Sequence, residues 1–275
     1  MKPSVSTWSA HEWLLNKKMS FEDFCDLIRE NGAEGVEIVD IDLYDTSLGQ
    51  LIRMKEAARV RGLEITCMSL EHNLCRITAE ARAQDVRRVK DWMDKAKALD
   101  VPRVRVFTGW ALRWRPYPVE VEWVYTGLRE IAAYAEEIGI DLVLENHNNI
   151  CMSSSELQEL FRCIDSPRLY TCPDIFNYAY FDDETGRIPT IDEWSYDEIR
   201  PQLKMARNAH IKICEAVSDR QDKYMDVERM FAMLRDDGYD GPVALEFMWP
   251  ILDDDKDFCT ELAKAVRVVV NNAKA

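Results

Sequence analysis

The 275-residue sequence lacks any run approaching the roughly 18 consecutive apolar residues of a membrane-spanning helix, so no membrane partner is expected. Its opening residues, MKPSVSTWSA, lack the apolar stretch of a secretory leader, and a cytoplasmic location is the expectation. Net positive charge is also missing. The chain sets 35 Lys and Arg against 50 Asp and Glu, a balance of −15 that repels phosphate backbones and argues against a nucleic-acid partner. No C-x-x-C pair occurs among the 8 cysteines, and a chain of this length needs no disulfide staples. Cys67, Cys163, Cys172 and Cys214 lie in or beside apolar runs, where a reduced thiol acts as a small buried hydrophobe. No G-x-G-x-x-G follows a strand candidate, which removes the usual signature of a dinucleotide-binding open sheet.

What is present is a 47% hydrophobic chain without low-complexity tracts or an interdomain linker, which predicts one domain over residues 1–275. Eight short apolar runs cross it: SVSTWS, GVEIVD, LEITCMSL, VRVFTGW, LVLENH, YTCPD, NAHIKI and PVALEFM. Between them lie amphipathic stretches such as SFEDFCDLIRENG, AEARAQDVRRVKDWMDKAKALD and VEWVYTGLREIAAYAEEIG, the first and third ending in a helix-stopping glycine. SSSELQELFRCI opens on serine caps, and DDDKDFCTELAKAVRVVV places aspartates at a helix start. Strands that are almost wholly apolar are covered on both faces, as in a parallel sheet. The eightfold alternation predicts an α/β fold, a closed (β/α)8 TIM barrel, with a doubly wound open sheet as the alternative. Residues 178–202 break the rhythm as a long polar segment, read as a lid, an oligomer contact or an insertion.

In a barrel, catalytic groups gather at the carboxyl ends of the strands. Over the second half of the chain that edge carries Glu145, Asp174, His210 and Glu246, closing LVLE, YTCPD, ARNAH and PVALE. Their separations (174 − 145 = 29, 210 − 174 = 36, 246 − 210 = 36) each approximate one strand–helix unit. Each residue alone is compatible with a solvated acid, a cap or a satisfied core histidine. Together, on consecutive strands, they predict an oxygen-rich site with one imidazole, suited to Mn2+, Mg2+ or Co2+ ahead of structural Zn2+. Side chains two apart on a strand share a face, so His147 is expected above Glu145 and Lys212 above His210. His147 then orients a ligand carboxylate, contacts substrate or serves structure alone. Lys212 is placed to neutralise an alkoxide or enediolate.

On the pieces GAEGVEI, LENH, PDIFN, HIK and LEF, in that order and spacing, the whole chain resembles the sugar phosphate isomerase/epimerase family of xylose isomerase-like barrels. The resemblance implies one divalent metal, Mn2+ first, on Glu145, Asp174, His210 and Glu246. It also implies that Glu145 and Glu246 move protons on opposite faces of a bound sugar. The chain departs from the pattern in three places. Asn177 stands where many members have His, Ile213 where many have Asp, and Ala216 where ketose epimerases tend to have Arg, the nearest being Arg220. The metal set is untouched by these changes, whereas the substrate is left open.

Other strand ends supply candidate substrate contacts: Trp8, Glu71, His72 and Trp110, with Arg113 and Arg115 in GWALRWRP as a clamp for phosphate or carboxylate. Each has an ordinary alternative in rim packing or a solvated loop. Asn177 joins the substrate-binding set by its place in PDIFN. The expected reaction is movement of a proton alpha to the carbonyl of a small polyhydroxy ketone or aldehyde, through a metal-stabilised enediolate. A lyase acting on a keto-sugar or inosose, a Schiff-base aldolase using Lys212 and a sugar-binding barrel without chemistry are the alternatives. A phosphodiester-cleaving member of the same barrel type would gather several metals on more histidines than the 4 present here. The partner expected is a sugar or sugar derivative, with a homo-oligomer as a possible assembly.

Overall fold

The computed structural model describes residues 1–112, 114–181, 189–248 and 256–275. Arg113 and the middle of the 178–202 segment lie outside the described residues. Eight parallel strands carry the fold: β1 (Lys2–Ser6), β2 (Gly35–Val39), β3 (Glu64–Ser69), β4 (Arg103–Val106), β5 (Asp141–Glu145), β6 (Leu169–Cys172), β7 (Ala209–Ile213) and β8 (Pro242–Phe247). They pair in the order β6-β5-β4-β3-β2-β1-β8-β7. The ring closes where β7 meets the end of β6, through the parallel bridges Thr171–Ala206 and Asp174–His210. There the His210 amide donates to the Pro173 carbonyl at 3.0 Å. The expected single (β/α)8 barrel is the fold observed.

Among the described residues, eight helices of ten residues or more form the outer layer: α1 (Phe21–Glu30), α2 (Leu48–Val60), α3 (Ala79–Ala98), α4 (Tyr117–Ile138), α5 (Ser154–Ile164), α6 (Glu193–Leu203), α7 (Val227–Asp236) and α8 (Phe258–Ala273), with a short helix at His11–Leu15 besides. Local chemistry sets their ends. Ser20 and Ser153 form capping boxes with Asp23 and Glu156, and Asp257 caps α8 through the Thr260 amide. Each such cap is worth about 1 kcal/mol. Gly139 takes φ +70° at the end of α4, a left-handed conformation that a side chain would strain. The apolar faces of α1, α5, α7 and α8 are buried against the strands, forming one continuous core between the layers.

The barrel interior is different in kind. Its apolar plug is small, formed by Cys67, Val143 and Cys172. The rest is polar: Ser4 and Thr66 share a hydrogen bond at 2.8 Å, and Glu37, Arg105, Asn208 and His210 are all buried. All eight cysteines are free, and six are buried; Cys163 is only half-buried and Cys259 is exposed.

Several expected boundaries shift. The first strand ends at Ser6, because Thr7–Ala10 winds into a 3-10 turn capped by Ser6. The fourth ends at Val106, and Gly109 takes φ +115° with its missing Cβ pressed against Asn73. The segment at 178–202 is not one loop. It contains a short antiparallel pair, Tyr180–Phe181 with Pro189–Thr190, and then all but the last residue of α6, capped by Asp192. Pro201 sits in the last turn of α6, where it removes the hydrogen bond that residue 201 would donate to the Asp197 carbonyl, and the helix ends two residues later, so a breaker signal in the sequence coexists with a helix. No helix among the described residues is long and apolar enough to cross a membrane.

Candidate metal centre

Glu145, Asp174, His210 and Glu246 converge: one donor atom from each lies within 4.8 Å of all the others, and all four residues are buried. Glu145 closes β5, His210 stands mid-strand in β7, and Glu246 lies near the end of β8. Asp174 sits two residues beyond β6 and caps a short helical turn, accepting from the Phe176 amide at 2.9 Å. Asn146, the residue after Glu145, fixes it from the neighbouring strand. Its amide nitrogen donates to the Asp174 carbonyl and its oxygen accepts from the Asp174 N–H, both at 2.8 Å. The amide-rich end of LENHN therefore aligns a carboxylate from the next strand.

The imidazole of His210 is oriented from across the barrel. Its Nε2 lies 3.0 and 3.1 Å from the two oxygens of Glu37 on β2. Glu37 also accepts from Ser69 Oγ at 2.7 Å and Asn208 Nδ2 at 2.9 Å. With Nε2 committed to Glu37, Nδ1 faces Glu246 at 3.3 Å and Glu145 at 3.6 Å, and it has no hydrogen-bond partner among the described residues. A buried, orphaned imidazole nitrogen directed into carboxylate oxygens is stable only with positive charge between them. Burial opposes protonation of His210, but Cys172, Glu37, Glu246 and Glu145 raise its pKa well above the ordinary histidine value.

Counting fixed charge gives the same answer. Four buried carboxylates (Glu37, Glu145, Asp174 and Glu246) face two buried permanent cations, Lys212 and Arg105, so even a protonated His210 leaves one positive charge wanting. The donor set of three carboxylates and one imidazole fits a divalent ion of the Mn2+ or Mg2+ type. Burial and the neighbouring Glu145 and Glu246 push Asp174 up to about 6 despite Lys212. Burial works against Glu145 as well, yet His147, His210 and Arg105 hold its carboxyl well below the usual range.

Lys212 shares the face of His210, as strand periodicity requires. Its ammonium contacts Asp174, lies 3.0 Å from Glu246 Oε2 and 3.9 Å from Glu145, and donates to Asn177 Oδ1 at 3.1 Å. Asn177 in turn donates to Glu145 at 2.9 Å. Burial would lower the lysine's pKa, but the three carboxylates raise it, so Lys212 stays a cation and is a poor Schiff-base nucleophile. Arg105 on β4 lies 3.4 Å from Glu145.

Above this floor opens a cavity of about 360 Å3. Glu71, Arg105, His147, Asn177 and Lys212 are polar members of its wall, with Trp8, Phe107, Phe176 and Phe181 as its aromatic members. His147 lines the cavity, although it lies past the strand end: its amide donates to the Glu145 carbonyl at 2.9 Å, so a turn rather than strand alternation places it. Trp110 is about half exposed, touches His147 edge-on at 6.2 Å and does not line the cavity. His72 is neither an exposed loop residue nor a wall residue. It is buried with its ring stacked on Phe107 at 4.7 Å, and that burial lowers its pKa to about 4. Arg115 packs on Trp114 and Trp123, and Arg220 pairs with Glu228 at 2.6 Å.

Sequence reasoning missed Glu37, Arg105, Asn146 and Asn208 as members of the site. A signal existed for the first two: GVEIV and RVRV each place a charge at a position that strand alternation turns inward.

A parallel barrel with a buried cluster of three carboxylates and one imidazole that could hold a metal ion is a (β/α)8 protein with a candidate metal site. The model of the xylose isomerase-like TIM barrel family matches residues 25–263, and the chain belongs to that family. No curated protein matches it in sequence. Among solved structures it is similar to the D-psicose 3-epimerase of Clostridium cellulolyticum H10, with a TM-score of 0.75 at 18% identity over 100% of this chain and 98% of that one. It is also similar to the 3-keto-D-glucoside 4-epimerase of E. coli, with a TM-score of 0.73 at 16% identity over 96% and 98% of the two chains. A probable 3-DHS dehydratase of Bacillus anthracis follows, with a TM-score of 0.67 at 19% identity over 100% and 99%. At these identities the likeness establishes the fold, and the chemistry has to be argued from the site.

Proposed function

We propose that this protein is a divalent-metal-dependent isomerase or epimerase that moves a proton on the carbon beside the carbonyl of a small polyhydroxy ketone or aldehyde. The observation that carries the reading is the orphaned Nδ1 of His210, set between Glu145 and Glu246 and aligned by Glu37. Glu145, Asp174, Glu246 and His210 hold the ion, Mn2+ first among the candidates. The chemistry such an ion supplies when bound is Lewis-acid polarisation of the substrate's carbonyl and neighbouring hydroxyl.

The protein's own groups do the rest. Glu246, reaching in from β8, takes the C–H proton as the bonding electron pair moves toward the carbonyl oxygen. For an epimerisation, Glu145, from β5, takes a proton from solvent and delivers it to the other face of that carbon, while the proton on Glu246 passes to solvent. For an isomerisation, one carboxylate delivers the same proton to the adjacent, former carbonyl carbon, while the hydroxyl proton on the carbon that lost it passes to the former carbonyl oxygen. The Lys212 ammonium, 3.0 Å from Glu246, offsets negative charge as it develops on the substrate oxygens. Asn177 bridges Lys212 and Glu145 and keeps both in register, and His147 and Glu71 face the cavity as hydroxyl partners. The similar proteins named as sugar epimerases agree with this reading.

Incubating ketoses and inososes with the Mn2+-loaded protein in D2O tests it. Deuterium uptake beside the carbonyl, together with a rearranged or epimerised sugar in the NMR spectrum, is the expected result. An enone or a released phenol would move the assignment to a lyase. Full turnover after exhaustive chelation would remove the metal from the mechanism.

A further inference from the structure

We propose that Arg105, on β4, and Glu71, two residues beyond β3, together clamp one uncharged hydroxyl of the sugar, and that this contact selects among sugars. The proposal deepens the functional reading above and rests on it for the carbonyl end of the substrate.

Both groups belong to the wall of the catalytic cavity, and the protein leaves both without partners. Arg105 is only 6% exposed, yet among the described residues its guanidinium makes no hydrogen bond. Glu145, the one carboxylate of the described residues within 4.0 Å, stands 3.4 Å from Nε, and Nε has no hydrogen-bond partner. A guanidinium taken out of bulk water needs acceptors for its N–H groups, so an acceptor has to come from the cavity. The Glu71 carboxylate is half-buried and, among the described residues, has neither a hydrogen bond nor an ion pair. Burial holds its pKa above the usual value, as expected of an anion short of donors.

Charge decides what kind of group arrives. With a divalent ion in place and His210 neutral, the ion, Lys212 and Arg105 balance Glu37, Glu145, Asp174 and Glu246. The charge of Arg105 is then matched while its N–H groups are not. A carboxylate or phosphate set against it would meet a balanced floor and the unmatched charge of Glu71. A hydroxyl suits both partners, since its oxygen accepts from Arg105 while its proton goes to Glu71. A carbonyl oxygen would serve Arg105 alone. In the ring, β3 and β4 lie across from β7 and β8, which carry Lys212 and Glu246. The clamped hydroxyl therefore belongs to the part of the sugar turned away from Glu246.

The clamp is held in place before any sugar binds. The Glu71 amide donates to Asp40 at 2.8 Å, and Arg88 donates to that buried carboxylate in turn. Arg105 lies over the Phe107 ring at 5.1 Å, and Phe107 stacks on the buried His72 at 4.7 Å. Groups fixed beforehand lose little conformational freedom on binding.

The test is titration calorimetry of the Mn2+-loaded protein with D-fructose, D-tagatose and D-psicose, then with the monodeoxy derivatives of whichever binds most tightly. One derivative, lacking the clamped hydroxyl, should bind about tenfold more weakly than its parent. Glu71→Leu should weaken the parent about tenfold and leave that derivative unchanged, erasing the difference. Glu71→Gln keeps an acceptor oxygen, so it should weaken the parent only about threefold; it decides alone if Glu71→Leu does not fold. Sulfate, an anion that fits a guanidinium, should not displace the ketose, and displacement would overturn the choice of an uncharged group. Deoxy penalties that are the same in the wild type and the variants overturn the clamp and leave the sugar reading intact. If no ketose binds, that reading fails and myo-inositol, a polyol without a carbonyl, decides. Weaker binding of myo-inositol by the Glu71 variants then upholds the clamp, and unchanged or absent binding overturns it.

Discussion

Replacing Glu37 by Gln tests the arrangement proposed to make His210 a metal ligand. Glu37 is fully buried, and its ionised form is favoured. Burial would raise its pKa, but His210, Arg105 and Ser69 bring it to about 2 from the usual 4.5. Gln resembles the protonated acid: its oxygen can still accept from Asn208 and His210, and its amide nitrogen can donate to Ser69. What is lost is the charge. A shift of 2.5 units corresponds to roughly 3 kcal/mol, so the metal-free variant should be less stable by about that amount at pH 7. The sign follows from the depressed pKa. Glu37 contributes its stability in full above about 4.5 and loses it as pH falls through about 2, so the two proteins should converge in acid. Metal affinity should fall about 10- to 100-fold, as expected when the partner that orients a ligating histidine is lost. Urea unfolding of the metal-free proteins at pH 7 and pH 2.5 and calorimetric Mn2+ titration at pH 7 measure both effects. Mn2+ affinity within twofold of wild type, with a stability difference that does not narrow in acid, would refute the reasoning.

Three further outcomes are expected. Glu246→Gln should fold normally and lose roughly 10²- to 10⁴-fold in turnover, because an acid/base carboxylate is removed; circular dichroism and rate measurements on the same sample check this, and near-wild-type rates would contradict the role. Asp174 is pushed up to about 6 and His210 is raised well above the ordinary histidine value, so protons on both compete with the metal and Mn2+ affinity should weaken by at least about tenfold between pH 7 and pH 5; an affinity independent of pH in titration calorimetry would count against ligation by either. His72, held down to about 4 by burial, charges more readily in the unfolded chain. Its stability contribution is complete above about 6.5 and declines as pH falls toward 4, about 2–3 kcal/mol by pH 4.5. His72→Gln should remove that part of the acid sensitivity, and parallel pH–stability curves would exclude it.

Local pattern explains why so much of the site could be read before the fold was known. A parallel barrel delivers every strand's carboxyl end to one rim, so Glu145, Asp174 and Glu246 needed only to close successive apolar runs to be brought together, whereas His210 joins them from within β7 rather than from its end. Lys212 followed from its two-residue spacing to His210, a covalent consequence of the pleat. The helices were equally local, since Ser20, Ser153 and Asp257 cap through backbone groups three residues away.

Contacts made across the barrel were a different matter. Glu37 meets His210 at a sequence separation of 173, and nothing near either residue specifies the other. Arg105 beside Glu145 and Asn146 beside Asp174 likewise depend on strand neighbours fixed only by ring closure. Loop residues were harder still, because their placement depends on turns rather than alternation. His72 was buried beneath Phe107, Trp110 was left outside the cavity, and Trp8 was set in its wall. The sequence by itself thus determined the alternation of strand and helix and the donors at the rim, because these depend on spacing along a single segment. The tertiary structure alone decided which charges face one another, which histidine turns a free nitrogen toward the carboxylates, and where apolar rings open beside a polar floor.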